Sequence, residues 1–366
     1  MFRKILIPVD LTPVDSSDIA PGILPYVAYL ARGLNIPVEL ATVLQHDVLE
    51  ALEKESKADV EDYPADLPSA GASGESGPLV TFQGVVKKDG QDYSPFVIKN
   101  SVLPAGRHLA QLVTHFGGQD VAARGVVRVG GGPAEEILRL AEQDDCDLIA
   151  IVTRDRNLLV QTIQGSVTNE IVRAGQAPVL AVRQDQGETT LHDNTTLTSI
   201  LVPLDGSPMA EAVLPYVESL AKAFSLLVFL VTVVQYQYAY AGMTGGSHPI
   251  YPELLEAQQE AQRADEQDAQ RYLQKLADSL ARQGINVQWE VLRGGTARTL
   301  EGLAEQLSDN MIALASHGRS GLARWVLGSV AEDLIRKTGD PVLSSHRVQQ
   351  KKRVSSHDRG TQVMSF

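Results

Sequence analysis

The chain repeats itself, and a repeat decides how many units there are to fold. Ile5-Leu-Ile-Pro-Val-Asp10 returns as Ile200-Leu-Val-Pro-Leu-Asp205, and Leu24-Pro-Tyr-Val27 returns unchanged as Leu214-Pro-Tyr-Val217. Gly132-Pro-Ala134 matches Gly295-Thr-Ala297, Gly165-Ser-Val167 matches Gly328-Ser-Val330, and Pro178-Val-Leu180 matches Pro341-Val-Leu343. Five landmarks in one order mark a tandem duplication. The length of 366 residues agrees with two domains, each large enough to bury a core.

The offset between copies is 190 residues at Leu24/Leu214 and 163 at Gly132/Gly295, so the first copy carries 27 more residues in between. We place that surplus near residues 51–101, where Pro64, Pro68 and the Ser/Gly-rich stretch 69–77 read as loop. Two β-favouring runs follow, Leu79–Val86 and Tyr93–Ile98, around Lys87-Lys-Asp-Gly90, and this pattern predicts a hairpin. The domains are therefore read as 1–183 and 200–346, joined by a polar linker at 184–199 and followed by a basic tail at 347–366 that we expect to be disordered.

Within the second copy, short apolar runs alternate with helical patterns. Strands are expected at 200–204, 228–234, 287–292, 312–316 and 341–344. Helices are expected at 208–224, at 252–283 with Gly284 as the C-cap, from 297 and from 329. Strands that alternate with helices and lack a polar face imply an α/β fold. Each domain is then an open parallel sheet with helices on both faces. Ligands on such sheets bind beyond the carboxyl ends of the strands.

Composition narrows the partners. A formal charge of -13 argues against nucleic acid and against membrane surfaces, since both are negatively charged. The longest mostly apolar run, Phe224–Val234, falls far short of the ~20 residues that span a bilayer. The amino-terminal segment lacks a signal-peptide core, and a cytoplasmic location is the simplest expectation. One cysteine and eight scattered histidines supply neither a disulfide framework nor a zinc set. Cys146 stands among acidic neighbours, which should raise its pKa and keep the thiol unreactive.

The unusual residues fall at the expected ligand edge. Asp205 ends the first strand of the second copy before Gly206-Ser207-Pro208. Its structural role would be to satisfy loop amides, with Ser207 as N-cap and Pro208 at N1; its functional role would be to accept a hydrogen bond from an exocyclic amine. After the fourth strand comes Ala315-Ser-His-Gly-Arg-Ser-Gly321, then Gly328-Ser329 opening a helix. Glycines let backbone amides approach an anion, and a helix start adds free donors and the positive end of its dipole. Ser329-Val-Ala-Glu332 also reads as a capping box, which needs no ligand. No G-x-x-x-x-G-K-[ST] is present, so this is not a Walker loop.

These motifs together resemble the universal stress protein family, over residues 1–183 and 198–345. The family's ATP-binding branch carries G-x2-G-x9-G-[ST], and the corresponding residues here are Ala315, Gly318, Gly328 and Ser329. Ala315 departs from the first glycine. The resemblance implies Pro203, Asp205 and Val233 around an adenine, Ala315, Gly318 and Arg319 along ribose and phosphates, and Gly328, Ser329 and Val330 closing on the phosphates. It implies ATP as the ligand, with Mg²⁺ entering with the nucleotide. It also implies pairing of the two copies through their last strands, Pro178–Arg183 against Pro341–Ser345. A homodimer and an unknown protein partner are compatible with it.

The first copy keeps Asp10, Val43, Gly165 and Ser166 but places Val152 and Asp155 where the first two glycines belong. A β-branched residue resists the conformations glycine allows, and a carboxylate repels phosphate. The expected function is a non-catalytic, adenine-nucleotide-binding regulatory or stress-response protein whose C-terminal domain holds the nucleotide. Two alternatives stand beside it. One is a nucleotide-free interaction module, with the 51–101 insertion as a docking arm. The other is a slow ATPase or autophosphorylating enzyme using a loop serine such as Ser329, with His317 the nearest titratable group.

Overall fold

The computed structural model describes residues 2–10, 22–56, 80–154, 166–174, 177–184, 196–235, 252–315 and 329–345. Most of the linker, the tail from 346 and the loop 316–328 lie outside them. In the first copy the elements are β1 (Ile5–Pro8), α1 (Leu24–Leu34), β2 (Val38–Gln45), α2 (His46–Ser56), β3 (Val80–Gln83), α3 (Pro95–Val97), α4 (Leu103–Gly117), β4 (Ala123–Gly130), α5 (Pro133–Gln143), β5 (Leu148–Arg154), α6 (Ser166–Ala174) and β6 (Val179–Gln184). The second copy supplies β7 (Ser199–Pro203), α7 (Leu214–Phe224), β8 (Leu227–Val234), α8 (Pro252–Arg282), β9 (Val287–Arg293), α9 (Thr296–Ala304), β10 (Asn310–Ala315), α10 (Ser329–Lys337) and β11 (Val342–Ser345).

The repeated motifs have local physical reasons. In Leu24-Pro-Tyr-Val27 and Leu214-Pro-Tyr-Val217 the proline sits in the first helical turn, where its missing N–H costs nothing, while the flanking Leu and Val are buried. Both helices end on a left-handed residue, Asn35 in one and Ser225 in the other. Gly284 closes α8 as expected, at φ +81°, a conformation that a Cβ disfavours. The Asp205-Gly-Ser-Pro segment enters α7 through a short 3₁₀ turn over Ala210–Val213, so the helix expected from 208 begins in regular α form only at Leu214.

Strands of both copies join one sheet in the order β3-β4-β2-β1-β5-β6-β11-β10-β7-β8-β9. Each copy is parallel within itself. Side chains alternate between the faces: Ile5 and Ile7 pack under α1 and α4, while Leu6 packs with α5 and α6. Met311 and Ala313 likewise face the α7–α8 layer, and Ile312 and Leu314 the α9–α10 layer. Both faces are covered, so the strands read as continuous apolar runs.

The insertion is not the hairpin its composition predicts. Val80–Gln83 does form a strand, but it adds in parallel to the outer edge of β4. Residues 87–91 turn, with the Gly90 amide donating to the Lys87 carbonyl at 3.0 Å. The second run is helical. Ser94 is the extended residue before α3, Pro95 starts the helix, and a π-helical turn at Ile98–Val102 carries it into α4. Proline at N1 favours helix entry, and the apolar residues that look like a strand are buried instead as a helical face, with Val97 and Val102 at its centre.

The copies meet through their last strands, and the join is antiparallel: Val342↔Ala181, Leu343↔Leu180, Ser344↔Val179. Leu180 and Leu343 occupy the same position in the repeat, so the pseudo-twofold axis passes between them. The pairing removes one free edge from each copy. On one face Tyr29 of α1 stacks on Phe224 of α7 at 4.6 Å, and Phe2 meets Tyr216 at 5.5 Å. Gly33 is packed so closely under the Phe224 ring that any Cβ there would overlap it.

Asp340 lies half-buried near this join. It accepts a hydrogen bond from Asn310 Nδ2 at 3.1 Å. Burial pushes its carboxyl up to about 6, against the opposing influence of Asn310 and Arg183. The unfolded chain releases this proton near the ordinary value of 3.8. Its stabilising contribution is therefore complete below about pH 4 and lost as the pH rises to about 6. Asp340→Asn keeps the acceptor for Asn310 and removes the titration. It should raise stability at pH 7 by about 1 kcal/mol, allowing for solvent screening of a half-exposed group, and leave pH 4 nearly unchanged. Thermal unfolding at both pH values tests this, and an equal shift at the two would contradict it.

Candidate functional site

The carboxyl edge of the second copy opens between β7 and β10. Their ladder pairs Asn310↔Ser199, Met311↔Ile200 and Ile312↔Leu201, and then stops. β7 continues beside β8 as far as Pro203↔Val231, and β10 continues beside β11 as far as Ala315↔Ser345. The two strands part because their crossovers leave toward opposite faces, α7 on one and α10 on the other. This is the topological switch point of the sheet, where a crevice forms in folds of this kind.

Pro203 and Asp205 form one lip. The turn between them is fixed by β8: the Leu204 amide donates to the Val231 carbonyl at 2.8 Å, and Thr232 Oγ1 donates to the Leu204 carbonyl at 2.9 Å. Val233 therefore lies two residues further along β8, half-buried beside the turn. Asp205 Oδ1 accepts from the Ser207 amide at 2.9 Å, and Ser207 Oγ accepts from the Ala210 amide at 3.0 Å. The structural roles expected of both residues are thus filled. The carboxylate is held in one orientation at the mouth of the crevice, which is also what recognition of an amine would require.

Ala315 is half-buried at the end of β10 and forms the other lip. Ser329 is the exposed first residue of α10, and Val330 behind it is half-buried against the core. Gly318, Arg319 and Gly328 lie in the loop outside the described residues, as does His317. The described site residues thus gather on one edge: an apolar flank, one oriented carboxylate and a helix start. An apolar flank with an oriented carboxylate can receive a flat base, and a helix start can receive an anion.

Sequence reasoning missed Tyr272. It lies on the apolar stripe of α8 with Leu273, Leu276 and Leu280. Burial and the Glu211 and Asp205 carboxylates raise its phenol above the ordinary tyrosine range. The signal was the i, i+4 spacing of Tyr272 and Leu276, which places the ring on the stripe facing the sheet. Thr232 was missed for a different reason, since its bond to Leu204 depends on strand pairing.

The equivalent edge of the first copy differs. The β1–β5 ladder also stops early, after Leu6↔Ile149. β5, however, runs on beside β6 through Val152↔Val182, Thr153↔Arg183 and Arg154↔Gln184. Val152 is partly buried in the core, and Arg154 is still paired strand. Asp10 is exposed and Val43 half-buried, while Gly165 and Asp155 lie outside the described residues. Cys146 sits at the opposite end of this sheet, buried. Burial, with Glu39 adding to it, pushes its thiol up to about 12. The direction is the expected one, and the principal cause is burial.

Comparison with known proteins shows the family and the fold. A model of the universal stress protein family matches residues 1–183 and 196–345. The chain belongs to the universal stress protein family. It is 29% identical over 144 residues to a universal stress protein of Methanocaldococcus jannaschii, spanning 39% of this chain and 79% of that protein. A universal stress protein of Synechocystis is 30% identical over 152 residues, spanning 39% of this chain and 94% of its own length. Among solved structures, a universal stress protein from Archaeoglobus fulgidus aligns over 94% of this chain and 98% of its own, with 16% identity and a TM-score of 0.59. That likeness shows the fold over both copies. Among the described residues no helix is long and apolar enough to cross a membrane, and no group of three or more His, Cys, Asp or Glu side chains is placed to hold a metal ion.

Proposed function

We propose that this universal stress protein binds ATP in the crevice of its second copy and acts as a nucleotide-responsive regulatory or stress-response protein. The observation that carries the reading is the parting of β7 and β10 after Leu201↔Ile312. It leaves Asp205 on one lip and Ala315 on the other. Pro203, Asp205 and Val233 flank the base. Ala315, Gly318 and Arg319 run along the ribose and phosphates, and Gly328, Ser329 and Val330 close on the phosphates, with Mg²⁺ carried in by the nucleotide. In the first copy, Val152 and a paired strand through Arg154 stand in place of a glycine loop, so that copy keeps the fold and leaves nucleotide to its partner.

The interaction-module alternative draws on Val48, Val86 and Phe96, exposed large apolar residues on α2 and the insertion. The crevice of the second copy is the more specific feature. Calorimetric titration of nucleotide-stripped protein with ATP and with adenosine tests the reading. Saturable binding of both, tighter for ATP, is expected. A folded protein that takes up neither at millimolar concentration would overturn it.

A further inference from the structure

α10 has one end at the proposed phosphate site and the other against the first copy. At nine residues it is about 13 Å long. Because β6 and β11 are antiparallel, the carboxyl edge of the first copy lies at the far end of this helix. There Arg183, next to last in β6, reaches across the join. Its Nη1 donates to the carbonyl of Arg336 at 3.0 Å and to that of Lys337 at 3.2 Å. These are the last two carbonyls of α10, among the four that no intrahelical amide can satisfy. A guanidinium there satisfies the acceptors and complements the negative end of the helix dipole.

The rest of the helix is held mainly by apolar contact. Ala331, Leu334 and Ile335 are buried on its inner face, and Lys337 makes ion pairs with Asp333 of its own turn and with Glu301 of α9. Apolar contacts are non-directional. A single guanidinium nitrogen shared between the two terminal carbonyls ties the end of the helix to β6.

We propose that Arg183 of the first copy is a positioning residue for the phosphate end of the nucleotide site in the second copy. The degenerate copy thus contributes to a site it does not itself contain. At Thr153↔Arg183, the strand edge that lacks a glycine loop presents instead the group that anchors α10. The inference rests on the nucleotide reading above for its ligand, while its mechanical part stands independently.

The test uses the full chain with Arg183→Ala and Arg183→Lys. Arg183→Ala should weaken ATP binding about five- to tenfold and leave adenosine within about twofold, because adenosine makes no use of α10. Arg183→Lys should recover part of the loss. Amide exchange measured without nucleotide should speed up in Arg183→Ala at Ser329 and Val330 as well as at Arg336 and Lys337. Equal weakening of ATP and adenosine would mean a general loss of structure and would overturn the proposal. So would unchanged exchange at Ser329 and Val330. If wild type binds neither ligand, the nucleotide reading fails, and the exchange result alone decides whether Arg183 positions α10.

Discussion

Gly318→Asp is expected to weaken ATP binding at least 100-fold, with adenosine binding changed less than about threefold and the fold intact. The substitution gives the second copy the residue the first copy already has at the corresponding position, Asp155. A carboxylate about 4 Å from a phosphate charge costs about 4 kcal/mol at an effective dielectric of 20, which is close to a thousandfold in affinity, and screening by solvent and Mg²⁺ reduces it. Adenosine carries no phosphate, so the repulsion is absent. Pro203 at the end of β7, Asp205 just after it and Val233 in β8 keep their side chains in this variant. Parallel titrations of the variant with both ligands decide the matter. Equal loss of both would show that the loop supports the whole site instead of its phosphate end.

Arg124→Ala should have the largest effect on stability, and the effect should depend on pH. Glu39 is wholly buried at the amino-terminal end of β2. Its Oε2 accepts from Arg124 Nε at 2.7 Å and from Lys4 Nζ at 3.4 Å. Arg124 also pairs with Asp144 at 3.0 Å. Burial and the adjacent Asp144 carboxyl push Glu39 above the ordinary carboxylate range, and Arg124 pulls it back. Burial would raise Asp144 too, but the neighbouring Glu39 carboxyl and the Arg124 charge outweigh it and leave that group lowered. Without Arg124, Glu39 is a buried charge opposed by Lys4 at 3.4 Å. Breaking such a pair costs about 3–5 kcal/mol when the remaining charge cannot escape.

Glu39 can escape by taking a proton. Its raised pKa means that stability is greatest with the proton bound and falls as the pH rises through the folded value. Removing Arg124 raises that value further. The expected loss is about 3 kcal/mol at pH 8 and about 1 kcal/mol at pH 5. Adding Glu39→Gln should recover most of the loss at pH 8. Thermal melts of the single and double variants at both pH values check this. A pH-independent loss would mean that Arg124 acts through packing alone. ATP affinity should not change, since four strands, β1, β5, β6 and β11, separate β2 from β10 in the sheet.

What was legible in the sequence depended on how local its cause was. The Leu-Pro-Tyr-Val repeats mark helix starts because proline at the first turn and two buried apolar neighbours act within four residues. Asp205 and Ser207 announced a turn because their hydrogen bonds are to amides two and three residues away. The pairing of the last strands followed from the family resemblance, and its register, with Leu180 opposite Leu343, from the structure. The insertion misled because Tyr93–Ile98 has strand-like residues; Pro95 and the buried face shared with α4 made them helical. Glu39 carries no local signal of its burial in the strand. Its burial depends on Lys4 and on Arg124, 85 residues away. Arg183 was silent for the same reason, since its partners Arg336 and Lys337 lie far along the chain.

The most direct test of the account is the stoichiometry of adenine nucleotide at saturation, read from the mass of the intact native protein with excess ATP. One nucleotide per chain, lost in Gly318→Asp and retained when Asp10 of the first copy is replaced by alanine, is the predicted result. Two per chain would show that the first copy binds despite Val152 and Asp155, and none would contradict the account altogether.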